Sequence, residues 1–421
     1  MRLNVTSEIG RLKRVLVHLP GREIDEMVPP MMAQLLFDDI LYGQVAREEH
    51  RRFQRLIGFV ADEVLDLQDL LEETFEDGEV REVVVRDLAR RNRLKRSMVT
   101  RLLDLPAAEL AEVVIAGIER LTPSGELSEF DLFPIPNLFF MRDPQIVVGD
   151  GVIISSMATQ ARRRESLLSK YVFTHHTAMA DQRAFWIDFM DSDPERPMPR
   201  GIPTIEGGDV LVPRRDLLLV GISERTNRLG VESLMWGLIE ARAGVTDVIV
   251  VELPRQRAMM HLDTVFTIIN HHECLMYPPA IDPRGSQAAK VYSVDLTKRT
   301  LTFKAERSLL SALAKKGMDL EPISCGGNRA VDQQREQWTD GANAFALAPG
   351  IILIYERNVR TAEELARHGY HIVYEDDLLL GRTELETWTD KKYALQIAGN
   401  ELSRARGGPR CMTMPLERED L

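Results

Sequence analysis

The chain has 421 residues, 44% hydrophobic and 28% charged, with 27 Gly, 21 Pro, 3 Cys and a formal net charge of -12. Such ordinary globular composition excludes disordered, collagenous and disulfide-scaffold classes, and the length suits two or three domains or one large catalytic body carrying an insertion. The acidic balance argues against nucleic acid or an anionic membrane surface as a partner, because phosphate binding needs a basic footprint.

The N-terminal segment lacks an apolar stretch of signal-peptide length, and no run of about 18 apolar residues occurs anywhere, so a soluble cytoplasmic protein is expected. Cys274, Cys325 and Cys411 are too few and too scattered for a disulfide framework or a Cys-rich zinc site.

From Val45 to about Phe75 the apolar positions Phe53, Leu56, Ile57, Val60, Val64 and Leu65 have the spacing of an amphipathic helix. Helical signal continues from Glu79 to about Glu119, with Pro106 placed to open a new helix. Residues 66–129 therefore read as a small helical bundle. Its basic run, Arg90, Arg91, Arg93, Lys95 and Arg96, has no interleaved aromatic residues and reads as a solvated face.

After Phe130 the pattern changes to paired β-rich runs joined by turn residues. Four hairpins are expected: Gln145 to Ile154, Val210 to Val220, Val265 to Tyr277, and Phe345 to Tyr355. Their irregular spacing looks like a divergent internal repeat. Each first strand is entered through polar residues: Arg142-Asp143-Pro144, Glu206-Gly207-Gly208-Asp209, His261-Leu262-Asp263 and Gly341-Ala342-Asn343. If the units are equivalent, these residues share one strand end and converge on a carboxylate-rich pocket.

Asp143, Glu206, His261 and Asp263 would meet there. Such a set can bind a metal, since His-x-Asp supplies two ligands from one strand, yet no second His lies at ligand spacing from His261. Carboxylates also match the planar N-H fork of a guanidinium. The tail offers a nucleophile for a guanidinium carbon: Cys411 lies in the Gly-rich loop Arg406-Gly407-Gly408-Pro409-Arg410-Cys411-Met412, between Arg residues that favour a thiolate. Cys274 and Cys325, in an apolar strand and beside a Gly pair, read as inert packing.

Asn137 to Pro144 (NLFFMRDP), Glu206-Gly207-Gly208-Asp209, His261-Leu262-Asp263-Thr264 and Arg406 to Met412 resemble the motifs of bacterial arginine deiminases. Ser7-Glu8-Ile9-Gly10 through Val15 to His18 and on to Glu23, and Leu35 to Ile40, are similar to the same family. The resemblance spans nearly the whole chain in order. It implies an α/β fold, a five-fold pseudosymmetric α/β propeller with an inserted helical bundle, residues 1–65 and 130–421 forming the propeller and 66–129 the insert.

The resemblance also implies hydrolysis of L-arginine to L-citrulline and ammonia with no cofactor and no metal, in a homo-oligomer that binds neither nucleic acid nor membrane. Cys411 would be the nucleophile and His261 the acid-base group, while Asp143, Glu206 and Asp263 bind the guanidinium. Arg162 and Arg225, with Asn137 nearby, would hold the substrate carboxylate. Arg406 is expected to close over the pocket or pair with Asp263, and Leu36 to lie in a loop covering the substrate. An agmatine or methylarginine hydrolase and an amidinotransferase share the same carboxylates, His and Cys.

Overall fold

The computed structural model describes residues 1–120, 129–180, 185–189, 201–298, 300–387 and 389–421. The four expected hairpins form within a residue or two of their anticipated limits: Gln145–Val148 with Gly151–Ile154, Val210–Arg214 with Leu217–Ile222, Phe266–Asn270 with Glu273–Met276, and Phe345–Ala348 with Ile351–Tyr355. In the first, the turn passes through Gly149 at φ 58, a conformation that glycine adopts without a Cβ clash.

Each hairpin acquires a third strand parallel to its second member. Phe185–Asp188 joins the first, Asp247–Glu252 the second, Glu321–Ser324 the third and Lys392–Ile397 the fourth. The two chain ends build a fifth sheet on the same plan. Met414–Arg418 pairs antiparallel with Leu12–Val17, which pairs parallel with Glu63–Asp66. Leu217–Ile222, LLLVGI, is a continuous apolar run, as expected of a strand covered on both faces, whereas Glu63–Asp66 and Glu321–Ser324 carry charged residues and are only partly buried.

The single helix expected from Val45 to Phe75 is two helices separated by a strand. Gly43–Ile57 ends at Gly58, Glu63–Asp66 carries Val64 and Leu65 alongside the first strand, and Leu67–Phe75 begins at Asp66, whose carboxylate accepts from the Gln68 N-H. Apolar spacing across the break mimics helical period, but strand pairing with Arg14 to Val17 decides the conformation.

The inserted region holds four helices, Leu67–Phe75, Gly78–Asn92, Arg96–Leu103 and Ala107–Ala116, the last starting after Pro106 as expected. Its end is not helical: Ile118–Arg120 and Glu129–Leu132 form a two-stranded ribbon, and the reading of residues 121–128 as part of the bundle lies outside the described residues. In the basic run, Arg90 and Arg91 pair with Asp87 on their own helix, consistent with a solvated face.

Leu71, Phe75, Val85 and Leu88 of these helices share one apolar cluster with Ile146 and Ile153 of the first hairpin and Leu168 of helix Arg163–His175. The insert thus closes its core on the sheet. Among the described residues, no helix is long and apolar enough to cross a membrane.

The shared core has a measurable consequence. Leu71→Ala, which opens a cavity between the insert and the sheet, should cost about 2–5 kcal/mol and lower the midpoint of the main calorimetric transition. A separate early transition with the main one unmoved would show that the insert has its own core.

Candidate active site

The residues entering each hairpin meet. Asp143 precedes Gln145–Val148, and Glu206 leads through the short 3-10 turn Gly207–Asp209 into Val210–Arg214. His261 leads through the turn Leu262–Thr264 into Phe266–Asn270, while Asn343 precedes Phe345–Ala348 and Cys411 precedes Met414–Arg418. Ligand atoms of Asp143, Glu206 and His261 lie within 4.8 Å of one another, all buried. His261 Nε2 is 2.9 Å from Glu206 Oε2 and its Nδ1 is 3.8 Å from Asp143 Oδ1.

Glycine makes this approach possible. A Cβ on Gly208 would lie 2.6 Å from His261 Nδ1, and one on Gly207 would collide with the Arg142 carbonyl. Both glycines sit in the turn that carries Glu206, so the motif packs backbone against the imidazole where any side chain would intervene.

Cys411 is 5% exposed. Its Sγ lies 3.9 Å from Asp263 Oδ2, and its backbone N-H donates to Asn343 Oδ1 at 3.1 Å. The Asn343 amide also donates to the Asp263 carbonyl at 3.1 Å, tying the two strand ends together. Asp263 is fully buried, with Oδ2 held by Arg410 Nη1 at 2.8 Å and Oδ1 without a hydrogen-bond partner among the described residues.

Arg410, not Arg406, is the partner of Asp263. The Arg410 guanidinium spans Asp263 and Glu8 from a fully buried position, whereas Arg406 takes the left-handed conformation, φ 67, and stacks 3.5 Å over the Trp338 ring. Its three guanidinium nitrogens have no hydrogen-bond partner among the described residues. Glu8, Asn343 and Arg410 stood in segments the sequence marks, but only long-range contacts show that they support the sulfur and Asp263.

Arg162 reaches the cluster from the opposite side. Its Nη1 is 2.8 Å from Asp143 Oδ2 and 3.6 Å from Glu206 Oε2, while Nε and Nη2 grip Glu165. Arg225 is buried near Glu206, with no partner for its Nε and Glu224 at 3.9 Å. Asn137 accepts from Arg162 at its carbonyl and donates from its side chain to the Leu35 carbonyl at 2.8 Å. The next residue, Leu36, is a non-glycine at φ 57, the kind of strained position that functional loops retain. Its loop is pinned by Asp38 to Arg257 and by Asp39 to Arg404.

The electrostatics follow from burial and partners. Burial opposes a charge on His261, but Asp143, the hydrogen bond that the ring donates to Glu206, and Asp209 outweigh it and push the imidazole up to about 10. Burial would raise Glu206, yet His261 and Arg162 hold it down at about 2. Burial, reinforced by Asp263, Asp143 and Asp340, pushes the Cys411 thiol well above its ordinary range. Both shifts favour an imidazolium at His261 and a neutral thiol at Cys411. The Asp143, Glu206 and His261 set has the geometry of a cation site, but a protonated imidazole has no lone pair to give, and Arg162 already offers a cation to both carboxylates.

A model of the arginine deiminase family matches residues 33–418. The chain belongs to the arginine deiminase family. Arginine deiminases of Streptococcus agalactiae serotype Ia and of Bacillus thuringiensis subsp. konkukian are each 34% identical, over 100% of this chain and 98% and 99% of theirs. Similar solved structures include an amidinotransferase of saxitoxin biosynthesis from Microseira wollei, with TM-score 0.55, 14% identity and coverage of 100% of this chain and 98% of that one. The N-terminal domain of a cyanobacterial arginine dihydrolase is similar at TM-score 0.50, with 14% identity, 96% coverage of this chain and 97% of that domain. The deiminase fold here is thus a mixed α/β architecture shared with guanidino-group enzymes.

The ion pair at the centre predicts a pH signature. His261, raised in the folded state, contributes stability that is complete below its unfolded value of 6.5 and lost as pH rises through about 10. Glu206, lowered, contributes stability that is complete above 4.5 and lost as pH falls through about 2. The unfolding midpoint of the wild type should fall relative to His261→Gln between pH 6.5 and 10; parallel curves across that window would mean an uncharged imidazole in the folded protein.

Proposed function

We propose that this chain hydrolyses L-arginine to L-citrulline and ammonia through a covalent adduct on Cys411. Full-length kinship with arginine deiminases supports the reaction. The observation that carries the residue assignment is the convergence of Cys411, His261 and the carboxylates Asp143, Glu206 and Asp263 at successive strand ends.

Asp143 and Glu206 bind the guanidinium nitrogens, and Asp263, with Oδ1 free, adds a third acceptor beside the sulfur. The bound cation offsets the carboxylate charge that, with burial, holds the thiol neutral, so Cys411 gives its proton to solvent water as the substrate enters and takes one back from water after the product leaves. The thiolate attacks the guanidinium carbon, giving a neutral tetrahedral adduct. His261, charged beforehand, protonates the departing nitrogen, and ammonia leaves an S-alkylthiouronium cation.

Now neutral, His261 takes a proton from water, and the hydroxide adds to the same carbon. Collapse expels the Cys411 thiolate, the hydroxyl proton passes to ammonia, and citrulline is released with the imidazolium restored. General acid-base work of this kind contributes about 10² to 10⁴ in rate. At the far end, Arg225, whose Nε has no hydrogen-bond partner among the described residues, takes the α-carboxylate, and Arg162 joins it only by exchanging Asp143 and Glu206 for the substrate, a correction to its expected place beside Asn137. Arg406 and Leu36 cover the entrance. The donors at Arg225 favour arginine over agmatine, and water as acceptor distinguishes hydrolysis from amidine transfer.

The same five-times-repeated pairing, hairpin plus parallel third strand, supports reading residues 1–65 and 130–421 as a five-fold pseudosymmetric α/β propeller interrupted by 66–129.

Arginine should yield citrulline and ammonia, with activity abolished in Cys411→Ala and unaffected by a chelator. His261→Ala incubated with arginine should accumulate a thiouronium adduct on Cys411, read by intact mass. Full turnover by Cys411→Ala would refute the nucleophile, and ornithine as product would point to amidine transfer. Arg225→Ala should raise KM for arginine by about 10- to 100-fold, the loss of a charge-assisted hydrogen-bond pair, with a smaller change in kcat.

A further inference from the structure

Asp209 ends the glycine turn that begins at Glu206, and it is fully buried. Both of its oxygens are committed to hydrogen bonds with groups other than those assigned to the reacting atoms. Oδ1 accepts from the Leu262 N-H at 2.8 Å, immediately after His261. Oδ2 accepts from the Ser223 hydroxyl at 2.6 Å.

Ser223 Oγ in turn accepts from the N-H groups of Arg225 and Thr226 at 3.1 and 3.2 Å. The Thr226 hydroxyl accepts from the Glu206 N-H at 3.2 Å. One carboxylate therefore connects the backbone bearing the imidazole, the loop bearing Arg225 and, through that loop, the backbone of Glu206.

The sequence makes room for it. Gly221 lies in strand Leu217–Ile222 opposite Asp209, and a Cβ there would collide with Asp209 Oδ1. Bringing a carboxylate into this interior is costly unless its acceptors are filled, and filling them here requires the Arg225 loop and the His261 turn to hold one mutual position.

We propose that Asp209 is a positioning residue that sets the spacing between the imidazole and guanidinium-binding end of the site and the carboxylate-binding Arg225. This rests on the arginine-hydrolysing reading above and extends it. Because the network joins the two ends, it selects substrates by the distance between guanidinium and carboxylate. Chemistry at the guanidinium alone needs only the His261 branch, whereas recognition of a full-length α-amino acid needs both.

Asp209→Asn keeps the shape but presents an amide N-H₂ to one of two donors, leaving a buried donor unpaired. The test measures kcat and KM of wild type, Asp209→Asn and Ser223→Ala with arginine and with agmatine, which lacks the carboxylate, alongside unfolding midpoints. For Asp209→Asn, kcat/KM for arginine should drop about 10- to 100-fold, and the preference for arginine over agmatine should shrink. Ser223→Ala cuts only the Arg225 branch and should raise KM for arginine several-fold while kcat holds.

A uniform loss on both substrates in Asp209→Asn, or an unchanged KM in Ser223→Ala, would overturn the proposal. Should Asp209→Asn fail to fold, the Ser223→Ala split still decides it. Failure of the wild type to make citrulline from arginine would instead refute the underlying activity and is read separately.

Discussion

The structure depends on keeping a crowd of buried carboxylates at one set of strand ends. Asp143, Glu206 and Asp263, backed by Glu8, Glu165 and Asp209, are all buried, and unpaired charges in such an interior would be prohibitively costly. The chain answers with Arg162, His261 and Arg410, each held by two or more of the acids. The balance is incomplete in a telling way. Among the described residues Asp263 Oδ1, Arg225 Nε and the Arg406 guanidinium nitrogens have no hydrogen-bond partner, which in the proposed reading leaves one acceptor for a cation and donors for an anion. A molecule with a guanidinium at one end and a carboxylate at the other completes the set.

That balance also governs the nucleophile. In the proposed mechanism burial, with Asp263 and Asp143, pushes the Cys411 thiol up, so its reactivity would depend on the substrate cation. A resting thiolate would be open to oxidation, whereas this thiol is buried and neutral until needed. His261 is the complement, charged at rest and ready to give its proton first.

Backbone architecture delivers these groups. In each sheet a residue two to five positions ahead of the first strand stands at the site, and the fifth such position is created by pairing the C-terminal strand with the N-terminal one. Cys411 reaches Asp263 because Met414–Arg418 is locked there, with buried Arg418 donating to the carbonyls of Gly10 and Ala346. Among the described residues, the helices of residues 67–116 hold none of the site residues named above but share the apolar cluster of the first hairpin, and so stabilise the strand that Asp143 enters.

The hairpins and the catalytic candidates were legible because turn residues, apolar runs and polar strand entries are local signals. The motif residues Asp143, Glu206, His261, Asp263 and Cys411 do come together as their spacing implies. Where local signals conflicted with pairing, pairing prevailed: Val64 and Leu65 have helical spacing but lie in a strand, because Leu12–Val17 offers hydrogen bonds that an exposed helical turn could not match. The choice between Arg406 and Arg410 as partner of Asp263, the hub made by Asp209, and the support from Glu8 and Asn343 were decided only in three dimensions. Each depends on contacts between residues tens to hundreds of positions apart, where burial converts an ordinary charge into one that must find a specific partner.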